Sequence, residues 1–151
     1  PVRQKILKDS RLGSFGVLSL IIVFILKFSL LSELDHPLAL ACALIACSSL
    51  GRFSILLLVN YSDLSKQAGL TKHLKKVNNK TIIFCGIFSM LWVIPAGLLA
   101  IIFMIILGYA SLYFFLKFII PFNRGLSGDI LGLYVVFVEI ASLLVLTTSF
   151  S

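Results

Sequence analysis

The sequence predicts an all-α membrane protein, a bundle of about five transmembrane helices in a single domain over residues 1–151. Three observations predict it. Of 151 residues, 60% are hydrophobic and 13% charged, against the roughly 25% charged expected of a soluble domain. The apolar residues fall in long uninterrupted runs. Most of the charged ones fall between the runs, with bases and acids in alternate connections. The formal charge of +7 comes from 13 Lys and Arg against 6 acids. Because these bases do not form an amphipathic face, they fit membrane-flanking loops and exclude nucleic acid as the expected partner. The lipid bilayer is the expected surrounding.

The basic residues Arg3, Lys5, Lys8 and Arg11 precede a first span at 12–31. It is interrupted only by serines and by Lys27, whose long stem suits snorkelling to an interface. Glu33, Asp35, His36 and Pro37 form an acidic turn without Lys or Arg, as expected on the non-cytoplasmic side. The second span, 37–60, carries Gly51-Arg52, and an arginine that deep demands a partner or a water-filled cavity. Lys66, Lys72, Lys75, Lys76 and Lys80 mark the next loop as cytoplasmic. His36 and His73 are isolated and read as loop residues. Cys42, Cys47 and Cys85 lie within apolar runs without CxxC spacing, as buried small side chains do.

No charge occurs from 81 to 116. One unbroken helix of that length would span about 54 Å, too long for a hydrocarbon core of about 30 Å. Proline removes a helix hydrogen bond and glycine adds backbone freedom, so Pro95-Ala96-Gly97 is the expected break. It divides the stretch into spans at 81–94 and 98–119. A fifth span, 130–150, carries Glu139. With this parity the start of the first span and the start of the fifth lie on one side of the membrane.

Arg124-Gly125-Leu126-Ser127-Gly128-Asp129-Ile130-Leu131-Gly132 is a polar, glycine-rich island ahead of the last span. Little bulk at Gly125 and Gly128 lets backbone N–H groups approach a phosphate at a helix N-terminus. Arg124 offers a two-pronged phosphate contact, and Asp129 a metal-binding carboxylate. A glycine-rich turn with an acidic helix cap accounts for the same residues more plainly. Deeper in the membrane, Arg52 lies about 12 Å from the end of its span and Glu139 about 15 Å from Asp129. Opposite charges at one height are expected to pair, here between the second and fifth spans. Lys27, about 21 Å from Gly13, is the rival partner and is placed higher.

The order of these polar groups resembles the cobalamin synthase family, the adenosylcobinamide-GDP ribazoletransferases. Ile6-Leu7-Lys8-Asp9-Ser10-Arg11-Leu12-Gly13-Ser14-Phe15-Gly16 is similar to that family's "MKDSRxGTxG" stretch. Gly51-Arg52 matches its small residue before arginine, and residues 64–70 echo its "YAREEGLG" loop, with Lys66 in place of arginine. Residues 125–132 with Glu139 resemble its "GGxTGDxLGxxxE" signature, with Arg124-Gly125 for Gly-Gly and Ser127 for threonine. Family members also carry an acidic "DGLADxxDG"-like motif before the "KDSR" stretch. This sequence starts after it and begins at Pro1, so it reads as part of a longer protein.

The resemblance implies a magnesium-dependent transferase that joins ribazole, or ribazole phosphate, to adenosylcobinamide-GDP and releases GMP. It implies a bacterial or archaeal cytoplasmic membrane, with the site on the cytoplasmic face and with homo-oligomerisation left open. Asp129 and Asp9 are then the expected catalytic and metal-binding carboxylates. Lys8, Arg11 and Arg124 are the expected phosphate clamp, with Ser10, Gly125, Ser127 and Gly128 shaping the cradle. The 151-residue chain alone is expected to be inactive. Two other classes use similar residues. Another polytopic transferase of diphosphate-linked substrates needs the same phosphate contacts, and a small transporter or membrane subunit would use Lys27, Arg52 and Glu139 as a path.

Overall fold

The computed structural model describes residues 14–62, 76–122 and 126–150, and among these every regular element is helical. Helix α1 is Ser14–Ser32, α2 is Pro37–Tyr61, α3 is Asn79–Leu91, α4 is Leu98–Phe114 and α5 is Gly128–Phe150. Four stretches are long and apolar enough to cross a membrane: α1, α2, Leu98–Ile119 and α5. With 13 residues, α3 spans only about 20 Å and falls short of a full hydrocarbon core. The bundle therefore has four long spans and one shorter apolar helix.

Local chemistry sets the ends. His36 is extended and Pro37 opens α2, where proline lacks only an N–H that would have no helical partner. The Asn78 side chain accepts a hydrogen bond from the Lys80 N–H and starts α3. The chain then turns through Ile94–Ala96 to Gly97, whose φ of 94° is open to glycine and strained for other residues. At the end of α4 a π-helical turn, Phe115–Ile119, leads into Ile120–Phe122. Pro121 has no N–H for the Lys117 carbonyl and its ring crowds that carbonyl, a conflict that the wider turn relieves.

The central contact is α2 on α5. Ala39, Ala43, Ala46, Cys47, Gly51 and Ser54 are buried along α2. Their small side chains let α5 approach with Ile130, Tyr134, Val138, Ser142, Leu146 and Thr147. Helix α3 packs on the other side of α2, where Phe53 lies against Gly86 and Ser89 Oγ donates to the Ser49 carbonyl at 3.4 Å. By contrast, α1 buries none of its residues, and α5 is its main neighbour.

The helix ends sort to two levels. His36, Leu38, Ala39, Pro95 and Phe150 line one small cavity of about 230 Å³, so the start of α2, the Pro95 turn and the end of α5 share one end of the bundle. At the other end the Val77 N–H donates to Asn60 Oδ1 at 3.0 Å, closing the end of α2 on the approach to α3. The α5 N-terminus lies at this second end.

Candidate phosphate and metal site at the start of α5

Leu126 is fully buried and anchors the chain just before α5. Ser127 follows as the cap. Its Oγ accepts from the Ile130 N–H at 3.4 Å and its carbonyl from the Leu131 N–H at 3.2 Å. The N–H groups of Gly128 and Asp129, in the first turn, have no partner within the helix. Both residues are exposed. Among the described residues, a Cβ added at Gly128 or at Gly132 would meet nothing within 4 Å, so the glycine face of this turn is clear of them. Asp129 carries no hydrogen bond or ion pair among the described residues, and its charge is favoured by the helix dipole.

This chemistry suits the groups expected from the sequence. A free carboxylate at an open helix start fits a magnesium ion, which takes one or two carboxylates and completes its shell with water and substrate phosphate oxygens. The unpaired N–H groups fit a phosphate. Of the other expected site residues, Lys8, Asp9, Ser10, Arg11, Arg124 and Gly125 lie outside the described residues. Among the described residues no group of three or more His, Cys, Asp or Glu side chains converges. The structure thus describes Ser127, Gly128 and Asp129 of the expected set.

The intramembrane pairing differs from the expectation. Glu139 is bound by Lys27, whose Nζ donates to Glu139 Oε2, and not by Arg52. Arg52 is exposed and its Nη1 donates to the Ser48 carbonyl at 3.0 Å, one turn back on its own helix. Depth was the wrong discriminator. Gly51 faces Glu139 directly, with its Cβ position 2.8 Å from Glu139 Cγ, and successive helix residues are about 100° apart. Arg52 is therefore turned away from the acid at the right height. Lys27 starts higher, but helical side chains lean toward the N-terminus and its four-carbon stem covers the difference. The row of small residues along α2 was the usable signal, because it marks the face that α5 occupies.

Sequence reasoning also missed a cavity of about 570 Å³ between α2, α4 and α5. Its wall is apolar apart from Ser54, Ser111, Tyr134 and Ser142 and three further tyrosines, Tyr61, Tyr109 and Tyr113. Inside it the Tyr134 hydroxyl and Ser111 Oγ are 3.3 Å apart, and the Phe115 ring lies 4.5 Å from the Tyr134 ring, centroid to centroid. Lys27, Arg52 and Glu139 are not part of its lining. The intramembrane charges therefore do not line this cavity, as a transport path through it would require.

These features define a multi-pass helical membrane protein with a serine-capped, exposed helix start at one end. The model of the cobalamin-5-phosphate synthase family matches residues 2–147, and the chain belongs to that family. It is 34% identical to the adenosylcobinamide-GDP ribazoletransferase of Shewanella woodyi over 154 residues, covering 95% of this chain and 58% of that protein. The corresponding protein of Shewanella frigidimarina is 36% identical over 141 residues, covering 86% of this chain and 52% of its own. That of Brucella anthropi is 32% identical over 139 residues, with 86% and 53% covered. The chain thus spans somewhat over half the length of the curated relatives it matches. No solved structure matches it.

Proposed function

We propose that this protein joins ribazole, or ribazole phosphate, to adenosylcobinamide-GDP and releases GMP, the reaction that the names of its relatives and its motif pattern imply. In this reaction the ribazole hydroxyl attacks the phosphorus on the cobinamide side of the diphosphate. A new P–O bond forms, the P–O bond to GMP breaks, and the hydroxyl proton is given up. Such transfers need little covalent help from the protein and much positioning and charge neutralisation.

One observation carries the reading: a serine-capped helix start whose first N–H groups and exposed Asp129 have no partner among the described residues. In the proposal the Gly128 and Asp129 N–H groups hold phosphate oxygens. Ser127 keeps that turn in shape. Lys8, Arg11 and Arg124 balance the diphosphate charge. Asp129, with Asp9, holds a magnesium ion, which supplies charge neutralisation at the reacting phosphate when bound. The site then lies on the cytoplasmic face of a bacterial or archaeal cytoplasmic membrane.

The test is direct. Membranes containing the full-length protein, given adenosylcobinamide-GDP and ribazole with magnesium, should release GMP and form the joined product together. Consumption of neither substrate would contradict the proposal. Transfer of another diphosphate-linked alcohol in preference would replace it with the broader transferase reading.

A further inference from the structure

Helix α1 buries none of its 19 residues and meets the bundle mainly at α5. In lipid, apolar contact alone gives such a helix little reason to prefer one axial position, since acyl chains are as apolar as its partner. The Lys27–Glu139 ion pair is a polar tie that joins α1 to α5. Its seat is built: Gly51 of α2 leaves the space that Glu139 fills, and the paired side chains are 30% and 14% exposed.

The axial arithmetic connects this tie to the site. Lys27 is about 20 Å along α1 from Ser14, and Glu139 about 15 Å along α5 from Asp129. The lysine stem spans the difference, so pairing brings the start of α1 and the start of α5 to nearly one level. A slip of one helical turn would move one past the other by about 5 Å, and misplacement of about 1 Å can cost a hundredfold in rate. We infer that Lys27 and Glu139, seated against Gly51, are positioning residues: their ion pair sets the register of α1 on α5, and with it the level of Ser14 relative to Asp129. The consequence for turnover rests on the proposed transfer reaction. The register itself does not.

The experiment uses the full-length protein in proteoliposomes. Lys27→Met and Glu139→Gln each strand a charge and should lower both the melting temperature and turnover. The apolar double variant, Lys27→Met with Glu139→Met, should regain the melting temperature, because removing both charges removes the penalty of a stranded one. Its kcat should stay at least about tenfold low while KM changes less, a split that loss of stability alone does not produce. Lys27→Arg should keep both within about threefold. Spin labels at the exposed positions Phe15 and Leu133 supply a readout without activity: their distance distribution should be narrow in the parent and in Lys27→Arg, and broad in Lys27→Met. A distribution unchanged by Lys27→Met, or native kcat in the apolar double variant, overturns the inference. A parent protein that releases no GMP contradicts the transfer reading, and the spin-label distances still decide the register.

Discussion

Gly51 and Glu139 are in such close contact that a Cβ on Gly51 would stand 2.8 Å from Glu139 Cγ and 3.1 Å from its Oε1. Lys27 holds the acid from the other side, so Glu139 has little freedom to move away. Gly51→Val should therefore destabilise the protein by about 1–3 kcal/mol through overpacking. Gly51→Ala should cost less, since alanine recovers about 1 kcal/mol of helix propensity. Thermal unfolding in detergent checks both. A native melting temperature for Gly51→Val would mean that α2 and α5 are further apart than described.

Gly97 has φ 94° and ψ 172°, and a Cβ there would meet nothing within 4 Å. Any cost of substitution is thus backbone strain without crowding. Gly97→Ala is expected to lose about 1–3 kcal/mol, whereas Gly108→Ala, in a helix with equally open space, should be neutral or better. Equal melting temperatures for the two variants would contradict the turn at Pro95 and Gly97.

These two glycines show what was legible in the sequence. The break between the third and fourth helices could be read because proline and glycine act locally and the apolar stretch was too long for one crossing. The helical membrane class could be read from composition and from segregated charge. The partner of Glu139 could not be read from depth, because depth is a one-dimensional coordinate and pairing also depends on which way each side chain faces. Arg52 has the height and Lys27 has the direction. The small-residue row from Ala39 to Ser54 held the missing angular information. In the candidate site a helix start at the glycine-rich island was legible, but the acidic cap expected there is replaced by Ser127, and Asp129 lies inside the first turn. The cavity around Tyr134 was not, because it is formed by three helices distant in sequence and its polar groups follow no local pattern.

Tyr134 is 1% exposed, contacts Phe115 and pairs its hydroxyl with Ser111. Tyr134→Phe keeps the ring and should cost only about 0.5–1.5 kcal/mol, because Ser111 Oγ retains its 3.0 Å bond to the Gly108 carbonyl. Tyr134→Ala should cost about 3–5 kcal/mol by enlarging a cavity already present. Unfolding midpoints of the two variants that coincide would show that the ring contributes nothing to the packing of α4 on α5.

In the proposed function Asp129 works as a metal-organising carboxylate and not merely as an acidic residue in the first turn of α5. Asp129→Asn keeps its size and removes its charge at an exposed position, so the fold should survive with at most about 1 kcal/mol lost from the helix dipole term. The decisive measurement is GMP release by the Asp129→Asn full-length protein across a magnesium titration, alongside its melting temperature. The expected result is a near-native melting temperature and a loss of turnover on the order of a hundredfold or more. Near-normal turnover at ordinary magnesium would contradict it and leave Asp129 as an acidic residue in the first turn of α5.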